Sequence, residues 1–463
     1  MWTQDRAADL FHRIRKHSQR GDLEVTIEGG SEALTRFANN GIHQNVAEEG
    51  VTASMRVQMD GKTARVTTDC LDGDSLRRAV KQCEELASVQ ESNPALPPML
   101  TGREVQQLSS ARLESPSRHF AETAATGPSE RAAEVAKVVA VAKRHQQVAA
   151  GVFAVHETFE ALFNSHGVEQ WHAQTHAEVS VTMSAEDSSG WKKANSPDVR
   201  QLGAERMAEI AAEKAARSAK PRELAAGKYT VILEPSAALD FVGFMFYDFS
   251  ATSVEEQRSF LSGRMGEQIF SPRVEIYDDC AHPLQTGPAW DGEGVPRERV
   301  QLVREGRPTN LVFSRAAART YNAANLGSAA KPTGHGLPLP NDIGEFPANI
   351  VFALTAGEQA RSVEQMVAET EFGLLVTRFW YIREVEAYEK ILTGMTRDGT
   401  FLIERGRISG GVRNFRFNQG IPDALSHIVA LGEPVRASGE EAFDMVVPAM
   451  KIEGFNFTEV TRF

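Results

Sequence analysis

Residues 231–270 read VILEPSAALDFVGFMFYDFSATSVEEQRSFLSGRMGEQIF, and the rest of the chain is organised around them. The stretch opens as a short apolar strand, residues 229–233, and breaks at Glu234-Pro235-Ser236. Ala238, Phe241, Val242, Met245 and Phe246 then recur near the 3.6 period of a helix. Phe244 and Tyr247 widen that face until almost no polar side remains, so the helix is expected to be buried. A strand feeding a buried helix is a common scaffold for a chemical site. A hydrolytic site there needs metal ligands or a nucleophile–base pair, and this stretch has neither. No histidine lies between His176 and His282, and no cysteine between Cys83 and Cys280.

Working outward, the 463 residues bound two or three domains with ample core. Fifty Lys and Arg against 62 Asp and Glu give a net charge of −12, which argues against a chain devoted to gripping nucleic-acid phosphates. Cys70, Cys83 and Cys280 show no paired spacing, so a reducing compartment fits, without a disulfide framework or a cysteine-based zinc site. Residues 1–20 form a charged amphipathic helix with no apolar core of a signal peptide. No uncharged apolar run is long enough to span a bilayer. The expected location is cytoplasmic.

Upstream of the central stretch, residues 3–19 read as a helix and 23–27 as a strand, with 33–37 as its expected partner. Residues 51–68 read as a hairpin turning at Asp60-Gly61, and Asp74 is read as the cap of a helix running to Val89. Residues 91–117 form a Pro- and Ser-bearing connector. A helix over 129–145, alternating strands over 150–183 turning at Ser165-His166-Gly167, and a helix over 198–219 complete this half. Downstream the chain is mostly β. Residues 299–313 and 400–412 both read as strand, glycine turn, strand, a weak internal repeat. Residues 350–354 and 372–382 are apolar strands, 421–431 a helix, and 443–447 and 450–457 closing strands. The expected class is α+β: an N-terminal α/β sandwich-like domain (residues 1–92), a connector and central α/β domain (93–226), and a mainly antiparallel, barrel-like C-terminal β domain (227–463).

Several segments together resemble the TldD/PmbA (TldD/TldE) metallopeptidase family. They are RFANNGIHQNVAEEGVTASMRV (residues 36–57), SFLSGRMGEQI (259–269), DGEGVPRERVQLVREG (291–306), PTGHG (332–336) and GMTRDGTFLIERGRISGGVRNFRFN (394–418). No one of them is specific alone; their order and spacing are, and the likeness runs from about residue 23 to the end. The resemblance implies a His-Glu-x-x-x-His motif on the helix after the strand at 231–233, two zinc-binding histidines, a downstream cysteine and a glutamate base, with one zinc position left for water. Here the corresponding residues, 242–247, read VGFMFY, and no cysteine follows Cys280. The sequence therefore resembles the TldE/PmbA branch, which lacks the zinc motif. That implies no catalytic residue, metal or cofactor in this chain, zinc in a TldD-like partner, a heterodimer acting on small or unfolded peptides, including leader-peptide trimming, and neither nucleic acid nor membrane as partner.

Other residues invite sharper readings. His156-Glu157 looks like part of a zinc-peptidase motif, but the positions four and five residues on are Glu160 and Ala161, and the segment alternates as a strand. His172 and His176 share a strand face, with His166 at the turn; a solvated sheet face is the plainer reading. Asp291 and Glu293, with Asp278 and Asp279, make an acidic loop whose oxygens suit Ca²⁺ or Mg²⁺, although turn chemistry explains Asp-Gly-Glu-Gly more simply. Arg407, Arg413 and Arg416 are candidates for a peptide's terminal carboxylate, or equally for edge charges that block unwanted strand pairing. Tyr247, Arg264 and His335 complete the candidate contacts to peptide or partner, His335 on a loop expected to be flexible. Two readings from other classes stand beside the silent subunit: an independent metal-dependent hydrolase with a relocated site, and a protein that modulates DNA gyrase by contact.

Overall fold

The computed structural model describes residues 2–109, 116–322 and 326–461. Part of the connector at 91–117 therefore lies outside the described residues.

The N-terminal half is a two-layer α/β unit on one sheet of six antiparallel strands. Helix α1 (Gln4–Arg15) leads into β1 (Asp22–Ala38), β2 (Gly41–Met59) and β3 (Lys62–Thr68), followed by α2 (Gly73–Val89). Two short helices, α3 (Gly102–Leu108) and α4 (Ala121–Ala124), precede α5 (Pro128–Arg144). Then come β4 (Val148–Asn164), β5 (Glu169–Ser184), β6 (Ser189–Ser196) and α6 (Ala204–Arg217). The sheet order is β3-β2-β1-β4-β5-β6, so β1 and β4 pair across the 92/93 division and both segments share one sheet.

Alternation decides which face meets the helices. Leu23, Val25 and Ile27 of β1, Met55 and Val57 of β2 and Phe159 and Phe163 of β4 pack under α1 and α2. On the same face, Phe153 and Val155 of β4 and Val179 and Val181 of β5 pack under α5 and α6. The opposite face carries Glu24, Thr26, Glu28, Arg56 and Gln58, and it turns toward the C-terminal half: Arg65 of β3 donates to the Leu339 carbonyl at 2.6 Å. The stretch at 33–37 is not a separate partner strand. It continues β1, which pairs with β2 over its whole length. The cap of α2 is Asp72, whose carboxylate accepts the N–H groups of Asp74 and Ser75.

The C-terminal half begins with β7 (Gly227–Leu233), α7 (Pro235–Val242) and α8 (Ala251–Glu255). One six-stranded sheet contains β8 (Val274–Asp278), β9 (Val300–Arg304), β10 (Arg307–Pro308) and, beyond α9 (Arg315–Thr320), β11 (Ile350–Leu354). The other contains β12 (Phe372–Glu386), β13 (Ile391–Glu404), β14 (Arg407–Gly411) and β15 (Phe415–Gly420). After β16 (Ile428–Leu431), β17 (Val435–Ala437) and β18 (Met445–Val447) extend the first sheet, and β19 (Met450–Val460) joins the second.

The second sheet runs β12-β7-β19-β15-β13, and β12 also pairs with β13, so the ring closes into a small barrel. Its interior is filled by Phe379, Phe417 and Phe455, and Phe241 of α7 inserts among them at centroid distances of 5.4–6.2 Å. Helix α7 is thus a plug, which explains its nearly complete apolarity. Two expectations need correction. The helix expected over 421–431 ends at Ser426, and residues 428–431 pair with β19 instead. The apolar helix after β7 ends at Val242 and tightens into a 3-10 turn, Gly243–Phe249. The repeated turn is real: Glu305-Gly306 and Arg405-Gly406 both take positive φ at both positions, as a two-residue hairpin turn requires.

Candidate functional site

The 3-10 turn follows from close packing. A Cβ at Gly243 would fall 2.3 Å from the Ala442 Cβ, so only glycine lets the loop at 439–443 lie against the end of α7. That loop is pinned by Asp240 of α7, whose Oδ1 accepts the backbone N–H groups of Glu440, Glu441 and Ala442 at 2.9–3.2 Å. Burial pushes the Asp240 carboxyl up to about 7, against the opposing pull of those N–H groups. Between the turn, the loop, β6 and the β12–β13 hairpin lies a cleft of about 700 Å³.

One wall of the cleft is aromatic, formed by Phe244, Tyr247 and Phe443. Tyr247 is 52% exposed and rests on Phe346 with 4.4 Å between ring centroids. The other wall is ionic. Lys390 sits 2.6 Å from Asp248 and 2.8 Å from Glu384. Burial opposes the charge on Lys390, but the two carboxylates outweigh it and raise its affinity for the proton. Lys193 of β6 bridges Glu178 at 3.2 Å and Glu440 at 3.7 Å and donates to the Gly439 carbonyl. The site therefore joins four chain segments, each bringing a charge that is met inside the site.

This donor set does not fit a zinc ion. Residues 242–247 offer Val, Gly, Phe, Met, Phe and Tyr, none of the imidazole, thiolate or carboxylate ligands zinc takes. The nearby carboxylates are engaged, Asp240 by three N–H groups and Asp248 and Glu384 by one ammonium. Among the described residues no group of three or more His, Cys, Asp or Glu is placed to hold a metal. The Lys390–Asp248 and Lys193–Glu440 pairs carried no signal in the sequence, because their partners lie far apart in the chain.

Of the residues singled out from sequence, only Tyr247 lines this cleft. Arg264 is half-buried and pairs with Glu267 at 3.2 Å. Arg407 lies exposed on β14, and Arg413 lines a different groove beside Asp398. Arg416 lies on β15 with Met395 and Glu459 as cross-strand neighbours. His335 is not on a flexible loop: it is 1% exposed, with Nε2 2.9 Å from Asp278 and Nδ1 3.0 Å from Thr333. Burial alone would raise the Asp278 carboxyl, but the imidazole beside it holds it below the usual range. His156 and Glu157 lie on β4, where successive side chains take opposite faces, and Glu157 meets His119 at 2.7 Å. His172 and His176 are half-buried on their sheet face, and burial lowers both imidazoles, His176 to about 4.

The acidic loop is a buried structural knot. Asp291 accepts the N–H groups of Glu293 and Val295 with one oxygen, both at 2.9 Å, and that of Gly336 with the other at 2.7 Å. Glu293 is 3% exposed and accepts the Arg315 N–H at 3.2 Å. Burial, and then the adjacent Asp291, push the Glu293 carboxyl up to about 8. The folded protein thus keeps a proton that the unfolded chain loses near the ordinary value of 4.5. The stability tied to that proton is fully present below about 4.5 and is lost as pH rises to about 8. Glu293→Gln is expected to flatten this decline and to stabilise the protein at pH 8 by about 2 kcal/mol relative to wild type. Urea melts of both proteins at pH 5 and pH 8 measure it.

Comparison with known proteins places these features. Residues 226–459 match the model of the PmbA/TldA metallopeptidase C-terminal domain, and residues 120–219 that of the central domain. The chain is 26% identical over 322 residues to the Metalloprotease PmbA of Escherichia coli O157:H7, spanning 67% of this chain and 66% of that one. It is 26% identical over 192 residues to a metalloprotease of Methanothermobacter thermautotrophicus, spanning 38% and 41%. The chain thus spans less than two thirds of these curated relatives. Among solved structures, TldE from Thermococcus kodakarensis aligns with a TM-score of 0.83 at 18% identity, over 98% of this chain and all of that one. A putative modulator of a DNA gyrase from Thermotoga maritima aligns with a TM-score of 0.79 at 18% identity, over 98% and 99%. At these identities the structural likeness shows the fold, and the two domain matches, the first covering half the chain, supply the family. A buried plug helix after β7, a pinned loop and a cleft beside them belong here to a member of the PmbA/TldD metallopeptidase family.

Proposed function

We propose that this chain is the non-catalytic, TldE-like subunit of a heterodimeric metallopeptidase. In this reading zinc and the catalytic residues belong to a TldD-like partner, and the pair degrades or trims small or unfolded peptides. The observation that carries it is the ion-paired cleft: where the resemblance implies metal ligands, this chain has an apolar turn beside a lysine clasped by two carboxylates. Carboxylates already engaged by lysines leave the cleft without a free ligand set for a metal ion. The rim supports a docked partner. Tyr247, Tyr381, Val385 and Tyr388 are each 52–61% exposed around the cleft, an apolar, tyrosine-rich patch of the kind found at protein interfaces. Tyr381 donates its N–H to Glu441 of the cleft, which ties the patch to the loop pinned by Asp240.

The test is co-expression with a TldD-like chain, followed by metal analysis and peptide cleavage by each half and by the pair. Less than 0.1 zinc per chain is expected in this protein alone, with cleavage only in the mixture. Stoichiometric zinc and cleavage by the isolated chain would establish the independent hydrolase instead. A pull-down of gyrase that persists without the TldD-like chain would favour the third reading. No helix among the described residues is long and apolar enough to cross a membrane.

A further inference from the structure

The first sheet has an edge that its own strands leave open. β2 runs from Gly41 to Met59, but β3 pairs with it only from Ala53 onward. On residues 41–52 one side of the strand is taken by β1, and among the described residues no strand pairs with the other. The hairpin turn fixes which groups point out. Met59 and Lys62 flank the two-residue turn Asp60-Gly61 and exchange hydrogen bonds, so the odd-numbered residues of β2 bond toward β3 and the even-numbered toward β1. Continued along the strand, this places the N–H and C=O groups of Ala47, Glu49 and Val51 on the open side. The bulge in this pairing lies nearer the β1–β2 turn, at Arg36/Phe37, which leaves residues 44–52 in regular register. That is about 30 Å of strand edge with neither a proline nor a lysine, the residues commonly used to protect edges.

The charge beside this edge selects an occupant. Glu28 lies directly opposite Glu160, and Glu32 directly opposite Glu48, all on one sheet face. Like charges in facing positions destabilise a sheet, and here two such pairs flank a notch. The notch is made by Gly30 and Gly50, which face each other between the pairs. An added Cβ at Gly50 meets open space, so a long side chain passing over it reaches both carboxylate pairs. The groove on this face has a volume of about 610 Å³. On the opposite face a second groove, about 560 Å³, sets Trp2, Val51, Leu71 and Phe159 beside the charged Arg6, Glu49 and Glu157. A second copy of this chain is a poor occupant, because its Glu48 and Glu49 would meet the same carboxylates.

We propose that the open edge of β2, residues 44–52, binds an extended peptide of alternating basic and apolar residues by strand addition. The peptide's backbone pairs with Ala47, Glu49 and Val51. Its Lys or Arg side chains fall on the face of the two carboxylate pairs and the apolar residues between them on the face of Trp2, Val51 and Leu71, because side chains alternate along a strand. The site lies on the N-terminal sheet, and the proposal stands whether or not the chain pairs with a catalytic subunit.

The test is fluorescence anisotropy of the full chain with labelled (Lys-Val)4 and (Glu-Val)4 peptides, together with amide hydrogen exchange. Binding of (Lys-Val)4 is expected at least tenfold tighter than (Glu-Val)4, weakening with salt, and slowing exchange at Ala47, Glu49 and Val51. Ala47→Pro removes one outward donor without touching the β1 ladder, and edge strands tolerate proline there. It is expected to weaken binding at least tenfold, whereas Ala47→Ser changes it less than twofold. Glu32→Lys combined with Glu48→Lys is expected to weaken binding at least tenfold and serves if the proline variant misfolds. Equal binding of the two peptides, or binding insensitive to Ala47→Pro in a folded variant, would overturn the proposal. So would self-association of the chain that Ala47→Pro abolishes, which would assign the edge to a second copy.

Discussion

Lys390→Ala is expected to lower the stability of this protein by about 3–5 kcal/mol, the usual result of removing one partner from a buried ion pair. The lysine side chain is 7% exposed and Asp248 2% exposed, so the carboxylate left behind loses its cation in a largely buried position. Burial already raises the Asp248 carboxyl, and Lys390 is what offsets it. The variant is therefore expected to take up a proton at Asp248 and to lose stability as pH rises, because the folded state then holds a proton that the unfolded state releases. Adding Asp248→Asn to Lys390→Ala should restore part of the loss, since the amide oxygen still accepts the Phe260 N–H now bound by Asp248 at 3.1 Å. Chemical denaturation of the two single variants and the double variant gives the coupling between the residues. A coupling below about 0.5 kcal/mol would show that the pair does not act as a buried unit.

The second large effect is expected at the other end of the molecule. Glu24 is 2% exposed on the polar face of β1 and is gripped by two arginines. Arg56 binds it through two parallel hydrogen bonds of 2.8 and 2.9 Å, and Arg65 adds a third at 2.9 Å. Burial alone would raise the Glu24 carboxyl, but the Arg56 and Arg65 guanidiniums together outweigh it and hold the group below the usual range. Arg56→Ala is expected to cost about 3–5 kcal/mol, a large part of the 5–15 kcal/mol that stabilises a typical domain. Arg56→Lys should recover only part, because an ammonium cannot match the paired oxygens of the carboxylate. In wild type the contribution of Glu24 is present above its unfolded value of 4.5 and is lost as pH falls through the lowered folded value. Thermal melts of wild type and Arg56→Ala from pH 7 to pH 3 should therefore converge on the acid side. Parallel curves would place the loss in packing rather than in charge. Arg65 matters beyond this pair, because its second contact, to the Leu339 carbonyl, joins the sheet to the C-terminal half.

Both effects concern charges whose partners the sequence does not pair. Lys390 and Asp248 are separated by the strands from β8 to β12, and Glu24 meets Arg56 only because β1 and β2 run in register. Local patterns, by contrast, were legible. Strict alternation located β4, β5 and the first part of β1 (residues 23–27), and Asp60-Gly61 located the β2–β3 hairpin, because a two-residue turn with positive φ favours those residues. Period alone misread residues 421–431. Ile421, Leu425 and Ile428 repeat as in a helix, yet residues 428–431 gain their hydrogen bonds from β19, a partner that no local window contains.

By itself, the sequence determined the α+β class, the family, and the lack of zinc ligands in residues 242–247, since each depends on residue identity and short-range periodicity. Tertiary structure alone decided that α7 plugs a closed barrel, that His335 is buried against Asp278, and that Lys193 and Lys390 find carboxylate partners at the cleft. It also decided that β3 covers only the last part of β2, from Ala53 onward. The physical reason is range. Backbone preference and amphipathic period act over a few residues, whereas burial and ion pairing depend on which distant segments the completed fold brings within a few ångströms of one another.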